Sequence, residues 1–151
     1  MSHESLIGKD LGGASFPVER GKVRELVRAL GDDDPVYTDL EAARAAGFER
    51  IPVPPTFTVT LTHWLGADMG FGALGLDLER VLHGESSWEY LAPVYVGDQL
   101  TASRRVSDVT TREGKRGGTM AFITLATEFG NGDGKTVIRQ KDLIIERAGE
   151  G

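Results

Sequence analysis

The chain contains no cysteine in its 151 residues, which removes disulfides, thiolate nucleophiles and zinc–cysteine sites from consideration. It also lacks any surplus of positive charge. Its 17 Lys and Arg stand against 23 Asp and Glu, and no basic face suited to tracking phosphates is evident, so no nucleic-acid partner is expected. No apolar run approaches the ~20 residues that a membrane-spanning helix needs. Met1-Ser2-His3-Glu4-Ser5 lacks the basic flank and apolar core of a signal peptide, and a cytoplasmic location away from membranes is the expectation. Serine never appears as Gly-x-Ser-x-Gly, which leaves serine acyl transfer unsupported. The histidines lack ligand spacing. His3 falls in an expected tail, His63 within an expected helix and His83 near an expected strand start, and none has a partner at i+2, i+3 or i+4. No metal and no cofactor are therefore expected. Gly70, Gly72 and Gly75 spell a dinucleotide-type pattern, but they follow a helix and lead into a sheet, with no βαβ unit around them. They read as a loop.

What is present is regular periodicity. Residues 16–19 read as a short extended lead-in. Val23, Leu26, Val27 and Leu30 fall at i, i+3, i+4 and i+7, one face of a helix that Gly31 ends. Thr38 or Asp39 caps a second short helix running through Ala46. Pro54-Pro55 bar helix before them, and Pro55 suits a first helical position, so a third helix is expected from Thr56 to about Met69. After residue 80 the period becomes two. Strands are expected over Val81–Val94, Gln99–Thr111, Thr119–Phe129 and Lys135–Arg147. Lys115–Gly118 would turn the second into the third, and Asn131-Gly132-Asp133-Gly134 is a hairpin signal. Helices followed by an antiparallel meander of long strands make an α+β domain over residues 1–151. A long curved sheet wrapped around one central helix suggests the hot-dog fold, although periodicity alone does not separate it from other α+β sheets.

Three places carry candidate chemistry. Asp32-Asp33-Asp34-Pro35 reads first as an acidic turn ending a helix. His83 lies where the sheet begins, and Glu89 sits among aromatics in Trp88-Glu89-Tyr90.

The acidic turn belongs to a longer pattern. Arg28-Ala29-Leu30-Gly31-Asp32-Asp33-Asp34-Pro35-Val36-Tyr37, with Asp39 and Ala42-Ala43 after it, resembles the MaoC-like hydratase/dehydratase superfamily, whose segment reads Asp, any residue, Asn, Pro, any residue, His. Pro54-Pro55-Thr56-Phe57, Leu82-His83-Gly84-Glu85, Glu89-Tyr90 and Pro93-Val94-Tyr95-Val96-Gly97-Asp98 follow in order. They bring the resemblance closer to FAS1-like dehydratase or MaoC N-terminal-type domains. That branch includes the substrate-binding subunits of mycobacterial (3R)-hydroxyacyl-carrier-protein dehydratases.

The resemblance implies (R)-specific, reversible addition of water to an α,β-unsaturated thioester of coenzyme A (acyl-CoA) or acyl carrier protein (acyl-ACP). An Asp/His pair would move the protons and a helix start would polarise the carbonyl. Carried over by position, Asp32 matches the Asp, Asp34 stands where Asn is usual, and Tyr37 stands where the His is expected. A phenol titrates near 10 and an imidazole near 6.5, so Tyr37 is a poor base at neutral pH. Pro55 falls where a Gly usually opens the helix and has no N–H, leaving those of Thr56 and Phe57 as substitutes. The expected site is thus Asp32, Tyr37 and His83 in catalysis, with Asp34, Pro55, Thr56, Phe57 and Glu89 against substrate. The resemblance also implies a dimer or higher oligomer. In the leading reading this chain shapes the acyl tunnel and a second MaoC-like subunit brings the intact Asp/His pair. Two other readings stay open: a self-sufficient homodimeric hydratase using Asp32, Tyr37 and His83, and a non-catalytic acyl-thioester binding module.

Overall fold

The first helix, α1 (Arg20–Leu30), buries Val23 and Val27 and stops where its sequence says it must. Gly31 adopts φ 68°, a left-handed geometry that favours glycine, and the Asp32 N–H reaches back to the Val27 carbonyl at 3.0 Å. A 3₁₀ turn, Pro35–Tyr37, and α2 (Leu40–Ala45) follow. The computed structural model describes residues 3–66, 71–114 and 117–148. Met69, Gly70 and Lys115, which figure in the expected helix end, glycine pattern and turn, lie outside them.

Five strands make one antiparallel sheet: β1 (Asp10–Pro17), β2 (Val81–Tyr90), β3 (Gln99–Glu113), β4 (Thr119–Gly130) and β5 (Thr136–Glu146). Their spatial order is β1-β3-β4-β5-β2. Only β3, β4 and β5 form the expected meander, because β2 pairs with β5 rather than with β3. The reason lies in residues 91–98. They leave the sheet at Leu91 and run alongside residues 51–53, through Val53 N–H to Val94 O (3.2 Å), Val96 N–H to Ile51 O (2.9 Å) and a Pro52–Tyr95 bridge. That diversion also ends β2 at Tyr90, short of Val94.

Three further expectations are corrected. The lead-in strand starts earlier, at Asp10. Gly12 and Gly13 hide it from a hydrophobic pattern, yet Gly13 lies so close to the Ala102 carbonyl that no Cβ fits there. The third helix is a seven-residue 3₁₀ helix, Phe57–His63. Its run of β-branched residues disfavours α geometry, and the Thr60 and Thr62 hydroxyls donate to the carbonyls three residues back (2.9 and 3.2 Å). His3 is no loose tail. It sits in a 3₁₀ turn, His3–Leu6, with Nε2 2.7 Å from the Glu146 carboxylate and Leu6 buried.

The 3₁₀ helix lies against the inner face of the sheet, so this is the hot-dog arrangement with a short central element. Period-two geometry puts Ala121, Ile123, Leu125, Thr127 and Phe129 of β4 on that face, all buried. Phe16 contacts Phe57 and Phe129 at centroid distances of 5.5 and 5.3 Å, tying β1, the helix start and β4 together. No helix among the described residues is long and apolar enough to cross a membrane. Phe129→Ala is expected to cost about 3–5 kcal/mol of folding stability, while Val59→Ala, on the exposed side of the 3₁₀ helix, stays within about 0.5 kcal/mol; urea unfolding of both variants checks the contrast.

Candidate active site

Three aspartates shape the segment after α1 by capping it. The Asp32 carboxylate accepts from the Asp34 N–H (3.0 Å), that of Asp34 from the Val36 N–H (3.0 Å), and that of Asp39 from the Ala42 N–H (2.8 Å). Short carboxylates on successive turns therefore present Tyr37 from a rigid 3₁₀ turn. Tyr37 is half-buried and lines a cleft of about 480 Å³ with Asp34, Phe48, Pro55, Tyr90 and Pro93. The cleft is largely apolar. There the Tyr90 hydroxyl donates to the Pro55 carbonyl at 2.9 Å, joining the end of β2 to the segment that opens the 3₁₀ helix.

Both phenols are held in their protonated form. Burial pushes the Tyr37 phenol above its ordinary value, and the carboxylates of Asp32 and then Asp34 add to the rise. Tyr90 is pushed up to about 12, first by burial and then by the neighbouring Tyr37. At neutral pH the cleft thus holds no phenolate base, and its hydroxyl donor is Tyr37, since the Tyr90 proton goes to Pro55. Asp32 itself faces a smaller hollow of about 180 Å³ that also involves Arg24, Arg28 and Thr38.

The helix start offers less than its position implies. The Pro55 carbonyl is taken by Tyr90, and the Phe57 N–H closes a turn onto the Pro54 carbonyl at 2.9 Å. The Phe57 side chain is wholly in the core. That leaves half-buried Thr56, whose N–H has no backbone acceptor among the described residues.

The fold brings Asp34, Tyr37 and Pro55 together along the cleft, with Asp32 near enough to act on the Tyr37 phenol and Thr56 next to Pro55 in the chain. It does not bring His83 or Glu89 there. His83 pairs with Ile144, roughly 20 Å along β2 from Tyr90 at ~3.3 Å per residue, and its Nε2 bonds the Ser86 hydroxyl (2.8 Å), which donates to Asp142 (2.5 Å). Glu89 is on the outer face of β2, 3.5 Å from Arg139. Tyr90 was missed by sequence reasoning. Strand alternation was the available signal, since Trp88 and Tyr90 share a face that Glu89 cannot.

A curved antiparallel sheet, a short inner helix opened by Pro54-Pro55 and an Asp-capped turn presenting a titratable side chain define a hot-dog domain of the dehydratase/hydratase class. Residues 5–140 match the family described as FAS1-like, dehydratase domain region, and the chain belongs to that family. A UPF0336 protein of Streptomyces coelicolor is 33% identical over 149 residues, covering 97% of this chain and 96% of the relative. Two solved structures from Mycobacterium tuberculosis are similar in fold. The (3R)-hydroxyacyl-ACP dehydratase complex HadBC has TM-score 0.77 and 23% identity, over 93% of this chain and 96% of that one. The ChsH1-ChsH2 complex has TM-score 0.73 and 23% identity, over 99% and 89%.

Tyr90→Phe removes the bond to Pro55 and is expected to cost about 0.5–1.5 kcal/mol at neutral pH. The sign at high pH follows from its titration. The unfolded phenol ionises near 10 and the folded one at about 12, so the folded state holds this proton more tightly. The resulting stabilisation is complete below pH 10 and fades as the pH rises through 12. Chemical unfolding between pH 9 and 12 is expected to show less loss of stability in Tyr90→Phe than in the native chain.

Proposed function

We propose that this chain is the substrate-binding half of an (R)-specific enoyl-thioester hydratase/3-hydroxyacyl-thioester dehydratase, acting in the cytoplasm on acyl-CoA or acyl-ACP. Its cleft shapes the acyl site, and a second MaoC-like subunit contributes the Asp/His pair. The observation that carries the reading is Tyr37, which stands in the base's place and whose phenol is pushed further from neutrality by burial and by Asp32 and Asp34. Hydration adds a water oxygen to the β-carbon and a proton to the α-carbon. It needs a group that accepts a proton near neutral pH, and a matched base contributes about 10²–10⁴ in rate.

The cleft is suited to the other half of the task. Phe48, Val53 and Pro93 give apolar wall for an acyl chain, and the Tyr37 hydroxyl supplies a donor, while the Tyr90 hydroxyl, whose proton goes to the Pro55 carbonyl, keeps lone pairs to accept with. Asp32, Asp34, Pro55 and Phe57 then act by holding the turn and the helix start in place. The pairing is supported by the two solved structures of like fold, both of which are complexes of two named components.

Hydration of crotonyl-CoA tests the reading. The isolated chain is expected to turn over at least about a hundredfold more slowly than the same chain co-purified with an Asp/His-bearing MaoC-like subunit. Turnover by the isolated chain at ordinary hydratase rates, surviving Tyr37→Phe, overturns it. In the complex, Tyr37→Phe is expected to raise KM severalfold with little change in kcat, because it removes a donor that binds rather than a base that reacts.

A further inference from the structure

The inner face of the sheet carries two apolar cores, and a polar seam runs between them. Phe57, Phe129 and Ile138 belong to one core, and Val106, Leu125 and Ile144 to the other. The seam crosses four strands as cross-strand neighbours: Arg104 of β3, Thr127 of β4, Gln140 and Asp142 of β5, and Ser86 and Trp88 of β2. The 3₁₀ helix adds Thr58. Among the described residues no buried side-chain nitrogen or oxygen lacks a partner. Donors and acceptors in the seam are therefore matched, and the groups at its ends fix the direction of every bond between them.

An indole N–H only donates, and a carboxylate only accepts. Trp88 Nε1 donates to the Thr58 hydroxyl (2.8 Å), whose own proton goes to Gln140 Oε1 (2.7 Å). Gln140 Nε2 then donates to both Asp142 oxygens (2.9 and 3.0 Å). A second chain arrives from the exposed end of the seam. The Ser86 hydroxyl has one proton, and it goes to Asp142 (2.5 Å). The 2.8 Å bond between that hydroxyl and His83 Nε2 must therefore be donated by the histidine. This places the ring proton on Nε2, the nitrogen that a base would need free. Both chains end on Asp142, which also lies 3.7 Å from the buried Arg104 guanidinium.

We infer that Asp142 is a positioning residue for the cleft. Its ionised carboxylate gives both chains their direction, fixing Thr58 and with it the helix start that carries Pro55, and it holds His83 as a donor. The consequence for the cleft rests on the substrate-binding reading above, whereas the direction of the two chains stands without it.

Exchanging the two β5 side chains tests the direction. Asp142→Asn puts a donor where two donors already point and removes the anion beside Arg104, so it is expected to lower the folding equilibrium constant at least about tenfold. Gln140→Glu sets a second carboxylate beside Asp142 and is expected to cost at least as much. In the Gln140→Glu background, Asp142→Asn is expected instead to raise the constant at least about tenfold, because the new amide donates to the new carboxylate, which still accepts from Thr58. Urea unfolding measures this cycle, and equal losses in both backgrounds overturn the inference. The native chain supplies a check that needs no destabilised variant. Nitrogen-15 spectra of the histidine rings at pH 8, with His83→Gln assigning the signal, are expected to show the His83 proton on Nε2; a proton on Nδ1 overturns the inference as well. In the two-subunit complex, Asp142→Asn is expected to raise the KM for crotonyl-CoA severalfold with a smaller change in kcat, and the double variant to return it to within about twofold of native. Turnover with an unchanged KM overturns the positioning role. A complex with no turnover counts against the two-subunit reading, and the cycle and the ring spectrum then decide the inference by themselves.

Discussion

Everything at the cleft depends on how the segment around Phe57 is fastened to the sheet. The Thr58 hydroxyl donates to the Gln140 side-chain carbonyl (2.7 Å) and accepts from the Trp88 indole N–H (2.8 Å). The Gln140 amide in turn bonds the Asp142 carboxylate (2.9 and 3.0 Å), which lies 3.7 Å from Arg104. Thr58, Gln140 and Arg104 are all buried, where an unpartnered polar group costs more than the bond gains, so this chain of contacts admits one placement of the helix start. The Phe16–Phe57–Phe129 cluster adds apolar contact to the same anchorage.

With that segment fixed, the geometry of the cleft follows. Pro54 and Pro55 set the chain direction into the 3₁₀ helix, Pro55 meets the Tyr90 hydroxyl, and residues 51–53 hold residues 94–96 beside them. The Asp-capped turn then places Tyr37 opposite Tyr90. Two protonated phenols and carboxylates already engaged in capping make a surface suited to binding and orienting. A phenol stands at Tyr37 where the family motif has a histidine, and in the proposed reading that substitution gives the reason for a second subunit.

The acidic turn shows that a structural role and the family motif's position coincide. Asp32, Asp34 and Asp39 all cap, as their residue type and spacing lead one to expect, and the same caps carry Tyr37 into the cleft. His83 shows the reverse. Its residue type is suited to catalysis, but strand geometry puts it far from Tyr37, bonded to Ser86. Glu89 fails for a simpler reason, since one step along a strand reverses the face.

What the sequence determined by itself were the local decisions. The end of α1 at Gly31, the cap of α2 at Asp39, the four later strands, the hairpin at Asn131 and the family motif frame are all set by residue type and spacing over a few positions. Tertiary structure alone decided which strand neighbours which, because the β2–β3 connection is drawn away by residues 51–53. It also decided that the central helix is short and 3₁₀, that β1 begins at Asp10 and runs through two glycines, and that Tyr90 rather than His83 or Glu89 faces Tyr37. Each of these depends on partners distant in the chain, whose contacts no local period encodes.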